Sequence, residues 1–135
     1  MRLVESWLEG SPKHLRFNSI LSWLLATSPD EKLRDPVRGL ALMAPMLELY
    51  GDQSALTQEV VAACHAENGD FEAAIRLQEK AVKMVQEQLT IDAYSDGQKK
   101  GLFQRLQLYK GKTPYRADEL SEMPIRPTGT RIDTK

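Results

Sequence analysis

The chain has 135 residues, 41% of them apolar and 27% charged, with a formal net charge of -1. That length supports one domain with a modest core, and the near-zero charge excludes a global field that would draw the protein to nucleic acid or anionic lipid. Leu, Ala, Glu, Gln and Lys are plentiful and β-branched residues are scattered, so the composition predicts an all-α fold.

Cys64 is the one cysteine. It permits no intramolecular disulfide and no thiolate metal cluster, which fits a reducing compartment. Met1-Arg2-Leu3-Val4-Glu5-Ser6 places an acid where a secretory signal needs an unbroken apolar stretch. The densest apolar run, Ile20 to Ala26, is far shorter than a bilayer span. The expectation is a soluble cytoplasmic protein with no membrane contact.

Gly10-Ser11-Pro12 is the first break. Residues 1–12 form an N-terminal segment in which Leu3, Val4, Trp7 and Leu8 suit either a short amphipathic helix or a frayed turn that packs Trp7 on the domain edge. From Lys13 to about Thr27 the sequence is apolar on much of a helical circumference, through Leu15, Phe17, Ile20, Leu21, Trp23, Leu24 and Leu25, as for a helix buried on two sides. Ser28-Pro29-Asp30 ends it, and a polar loop follows.

Asp35-Pro36 reads as an N-cap with proline at the first helical position. The second helix runs to about Tyr50 and closes at Gly51, while Pro45 inside it should bend it or free a carbonyl. Asp52 or Ser54 can cap a third helix, about Ala55 to Glu67. Asn68-Gly69 makes the next turn, and Asp70 caps a fourth helix, which is expected to continue past Leu89 towards Ala93. Its inner residues are expected to be Phe71, Ala74, Ile75, Leu77, Ala81, Val82 and Val85. Ser95-Asp96-Gly97 breaks the run. A fifth helix, about Gln98 to Tyr109, carries Leu102, Phe103, Leu106 and Tyr109 on one face and ends at Gly111. The helical domain therefore spans 13–116, and 117–135, with Pro124, Pro127 and Gly129, reads as an extended or disordered tail.

Shifting the second helix by 35 residues pairs Asp35 with Asp70, Gly39 with Ala74, Leu40 with Ile75 and Leu47 with Val82. The first helix maps on the third with a shift of 40: Leu21 on Val61, Ser22 on Ala62, Ala26 on Ala66. On these residues Ala55 to Gln86 resembles one tetratricopeptide (TPR) unit, with Ala62, Ala74 and Ala81 at its small positions and Phe71 after Gly-Asp. Gln58, His65 and Gln86 depart from the family's aromatic and proline positions. Trp23 to Asp30 with Leu33-Arg34-Asp35-Pro36, then Leu106-Gln107-Leu108-Tyr109-Lys110 and Pro114-Tyr115-Arg116, resemble a degenerate bacterial variant with a lengthened first turn. The resemblance implies two tandem hairpins and a C-terminal capping helix, a short α-solenoid.

Chemistry is sparse. Adjacent helical residues diverge by about 100°, so Cys64 and His65 do not form a nucleophile–base pair. With His14 apart from them, no zinc spacing arises, and neither a metal nor a cofactor is expected. An enzyme using Cys64 would need a thiol that alkylates rapidly at neutral pH. Asp92 and Asp96 read as turn and cap residues. Lys99, Lys100, Arg105, Lys110, Lys112 and Arg116 read first as a solvated basic face, second as an anion- or RNA-contacting one.

The resemblance implies a groove lined by Ser19, Trp23 and Ala26 from the first helix and by Glu59, Ala63 and Glu67 from the third. These apolar and acidic residues disfavour a clamp for a peptide carboxylate. Trp23 reads first as a core residue between hairpins, second as an anchor for a partner. The implied function is a non-enzymatic protein–protein interaction module, a scaffold or adaptor that binds a protein segment or a second copy of itself. Self-association is expected through the N-terminal apolar end. The alternative is a structural subunit of a larger complex whose tail orders on a neighbouring chain.

Overall fold

The computed structural model describes residues 12–117. They form α1 (Pro12–Thr27), α2 (Pro36–Tyr50), α3 (Ala55–Glu67), α4 (Phe71–Gln86) and α5 (Asp96–Lys110), with no strand among the described residues. The N-terminal segment 1–12 and the tail 117–135 lie outside the described residues apart from Pro12 and Ala117. The architecture is all-α: two helical hairpins, α1–α2 and α3–α4, followed by α5 against α4. None of the described helices is long and apolar enough to cross a membrane.

Side-chain oxygens begin four of the helices by taking orphan backbone N–H groups. Asp35 accepts from Arg38, Ser54 from Thr57, and Asp70 from Ala73. Ser95 and Gln98 cap each other reciprocally at the start of α5, so Ser95-Asp96-Gly97 opens a helix as well as ending a loop. Asp52 is left out of the capping and pairs with Lys80 at 2.8 Å.

Of the C-terminal ends, that of α4 corrects an expectation, while α5 ends at Gly111 as expected. Chain reversal at the end of α4 occurs at Gln88, whose φ is 58°, and Leu89 N–H bonds back to Met84 O. The helix therefore stops at Gln86 instead of continuing towards Ala93. At the end of α5 the left-handed residue is Lys112 (φ 58°), not Gly111 (φ -88°). Lys112 N–H bonds Tyr109 O and Thr113 N–H bonds Leu108 O, the paired bonds of a Schellman motif with lysine where glycine is usual.

The loop after α4 turns back onto the start of α3. Asp92 Oδ2 accepts from Ser54 Oγ (2.8 Å), Leu56 N–H (2.9 Å) and Thr90 Oγ1 (2.9 Å). Thr90 Oγ1 in turn accepts from Ala55 N–H at 2.8 Å. A carboxylate from a distant loop thus sits at the positive end of α3.

α3 is central, contacting α1, α2 and α4 and burying every residue from Ala55 to Cys64. Close approach depends on Gly39, where an added Cβ would lie 2.8 Å from Cys64 Sγ and 3.6 Å from Ser22 O. Ser22 Oγ also donates to Gly39 O, so α1, α2 and α3 meet at this point. α2 continues through Pro45, and Asn18 Nδ2 donates to Leu42 O, beside the Ala41 carbonyl that proline cannot serve.

The inner face of α4 is Ala73, Ala74, Gln78, Ala81, Met84 and Val85. Phe71, Ile75, Leu77 and Val82, expected inside, are only half-buried.

Candidate functional site: the buried Glu59–Arg105 cluster

Ser19, Trp23 and Ala26 recur at i, i+4 and i+7 on α1 and are fully buried. Glu59 and Ala63 on α3 are equally covered, while the side chain of Glu67 keeps 15% exposure. The structure brings all six into one region and covers it with α5 and the exit segment 113–117. Trp23 forms part of the main core cluster, and Tyr115 packs on that cluster from outside.

Glu59 is the residue that most needs explanation, because a fully buried carboxylate is costly unless its oxygens are satisfied. Its Oε1 accepts from Arg105 Nε (2.9 Å) and Gln78 Nε2 (3.0 Å) and lies 2.8 Å from Arg105 Nη2. Its Oε2 accepts from Tyr94 Oη at 2.8 Å. Gln78 Nε2 also donates to Leu102 O, which fixes the amide between α3 and α5. Burial opposes the Arg105 charge, but the Glu59 carboxylate outweighs it and holds the guanidinium above its usual range. Burial, then Glu59, pushes the Tyr94 phenol well above its ordinary value, so Tyr94 stays a neutral donor.

The guanidinium of Arg105 is also stacked. Its central carbon lies 5.2 Å from the ring centroids of both Trp23 and Tyr115. The two aromatic rings are 5.7 Å apart at an interplanar angle of 45°. Next along the chain, Arg116 Nη1 lies 2.7 Å from Glu67 Oε1, and Arg34 Nε donates to Glu67 Oε2 at 3.1 Å. Ala117 N–H then donates to Thr27 O, one of the carbonyls left open by the end of α1.

This arrangement is poorly suited to proton transfer, since both oxygens of Glu59 accept hydrogen bonds and Tyr94 resists ionisation. Cys64 is buried, and burial pushes its thiol up to about 12, leaving almost no thiolate at neutral pH. Among the described residues no group of His, Cys, Asp and Glu could hold a metal ion.

The basic run is not a continuous free face. Arg105 is committed to Glu59, Arg116 to Glu67, and Lys110 approaches Glu79 at 3.9 Å. The run is thus partly neutralised by the chain's own carboxylates. Phe103, expected inside, is 41% exposed. Residues 102, 105, 106 and 109 have helical spacing, and in the structure it is Arg105 that joins Leu102, Leu106 and Tyr109 inside. That spacing was the available signal for Arg105. Gln78 likewise falls between Ala74 and Ala81 on one face, whereas nothing local marks Tyr94 or Tyr115 as its neighbours.

Among the described residues, apolar side chains stay open on the outer side of α1 and beside α4, among other places. The outer side of α1 exposes Phe17 (63%) and Leu24 (39%), with Ile20 and Leu21 half-buried between them. Beside α4, a shallow depression of about 560 Å³ has Met84 and Leu89 within a rim of Lys80, Lys83, Glu79 and Glu87, whose alternating signs favour no charged ligand. Comparisons with protein-family models, curated proteins and solved structures give no match to this chain.

Proposed function

We propose that the protein is a non-enzymatic interaction module, a scaffold that associates with protein partners, and first with a second copy of itself, through the outer face of α1. The observation that carries this reading is the apolar stripe Phe17–Ile20/Leu21–Leu24, exposed on the first helix of the stack. Large side chains at a seven-residue spacing leave apolar area in water that a facing helix would remove, at about 25 cal/mol per Å² buried. A copy of the same helix is a suitable complement. α1 exposes Arg16 near its start and carries no acid, so antiparallel pairing about a two-fold axis joins the apolar stripes and keeps the two Arg16 cations apart.

Light scattering over a concentration series tests this. The expected result is a mass that rises above the 15.3 kDa chain mass with concentration, and a return to that mass in Phe17→Glu and Leu24→Glu. A wild-type mass that stays monomeric at high concentration overturns self-association.

A further inference from the structure

α2 is apolar on nearly its whole circumference, the pattern of a helix covered on all sides, yet it packs chiefly against α1 and α3. Its far side faces solvent. Val37 is 64% exposed and Leu49 52%, Ala41 and Ala44 are exposed between them, and Pro45 is half-buried. The only charged residues of α2 are Arg38 and Glu48, both exposed and without an ion pair among the described residues.

The second hairpin supplies an internal control. The 35-residue shift that aligns α2 with α4 sets Val37 on Glu72, Ala41 on Arg76, Ala44 on Glu79, Pro45 on Lys80 and Glu48 on Lys83. All five α4 residues are exposed. The same helix position is thus solvated by charges in one hairpin and apolar in the other, so the hairpin itself does not require the apolar face of α2.

We propose that this face is a second self-association surface, on which α2 of another copy packs antiparallel about a two-fold axis. It lies on a different helix from the α1 stripe, and it rests on that reading only in that an α1-paired dimer presents two such faces.

The order of residues along α2 selects the occupant and its direction. Arg38 and Glu48 lie five residues on either side of Met43, and Val37 and Leu49 lie six. Antiparallel pairing centred there brings Arg38 to the height of Glu48 of the second copy and Val37 to that of its Leu49. Each contact then occurs twice, as an isologous interface requires. Parallel pairing sets Arg38 against Arg38 and Glu48 against Glu48 and is repelled. Within one chain the two charges stand about 15 Å apart along the helix, too far to pair. Between them the seam holds Ala41 and Ala44, small enough for the two helix axes to approach to about 8 Å. With alanines at its centre, this seam removes less apolar area than Phe17, Ile20, Leu21 and Leu24 do. It is therefore the weaker contact and joins dimers already formed through α1. Two different two-fold contacts on one chain carry the assembly beyond the dimer.

Light scattering on the full-length chain at rising concentration reads both contacts. The wild-type mass should pass twice the 15.3 kDa chain mass at the highest concentrations. Arg38→Glu makes both charge pairs repulsive and should weaken the step beyond the dimer on the order of tenfold, and Arg38→Glu/Glu48→Arg should recover it. Ala44→Lys should hold the mass at that of the dimer. All three positions are exposed, and circular dichroism checks that the variants fold. A wild-type mass that stops at the dimer overturns α2 pairing and leaves the α1 reading standing. A step beyond the dimer that Arg38→Glu leaves unchanged, or that the double reversal fails to restore, also overturns it. A dimer that survives Phe17→Glu and is lost in Ala44→Lys supports α2 pairing and overturns the α1 contact instead. A monomer at every concentration overturns both.

Discussion

The two sides of α1 invert the usual distribution of polarity. On its outer side Phe17 and Leu24 stand in solvent, while its inner side faces a region where Glu59 and Arg105 are both essentially inaccessible. The difference lies in what arrives at each side. α3, α5 and the exit segment bring a matched set of donors, acceptors and rings to the inner side, and nothing among the described residues covers the outer one. Hydrophobicity alone therefore predicts neither side, because a charge is tolerated inside when each of its hydrogen-bonding atoms has a partner.

The sharpest way to break this comparison is to remove one member of the buried pair. Arg105→Met leaves Glu59 buried without its cation and should cost about 3–5 kcal/mol of unfolding free energy in urea denaturation. Replacing Glu59 with Leu in the same chain should recover much of that loss. If Arg105→Met costs less than about 1 kcal/mol, the pair does not hold α5 in place. The junction of α1, α2 and α3 is next. Gly39→Ala should cost about 1–3 kcal/mol through its encounter with Cys64 Sγ. Adding Cys64→Ala should relieve part of this, seen as a coupling of at least about 0.5 kcal/mol in a double-mutant cycle.

Asp92→Ala removes the acceptor of Ser54 and of the Leu56 N–H at the start of α3, and a loss of about 1–2 kcal/mol is expected from thermal melts. The smallest effect belongs to the outer side of α1. Phe17→Glu should change the stability of the monomer by no more than about 0.5 kcal/mol while abolishing association. A large destabilisation there would mean that the side chain is covered within the monomer.

Much of the helical framework was legible along the chain. Asp35-Pro36, Ser54 and Asp70 act within a turn of their own position, so capping chemistry places these helix starts without tertiary information, whereas Ser95, read only as part of a break, caps α5. Helix ends were less legible. Gln88 and Lys112 adopt left-handed backbone that sequence assigns to glycine, and they do so because the residues that follow are held elsewhere, Thr90 and Asp92 on α3 and Tyr115 to Ala117 on α1 and α3. The six residues read as lining a groove do meet, but beneath α5 and residues 113–117, and no local signal showed that cover.

What the sequence determined by itself is the all-α class, the number and order of the described helices and the small residues Ala62, Ala74 and Ala81 of α3 and α4. These depend on local periodicity, caps and side-chain volume. What only the tertiary structure decided is the pairing of Glu59 with Arg105, 46 residues apart, and the seating of Tyr115 on Trp23. Such contacts join residues whose neighbours in sequence carry no trace of the partner, and a buried arginine reads like a solvated one until the carboxylate that meets it is in place.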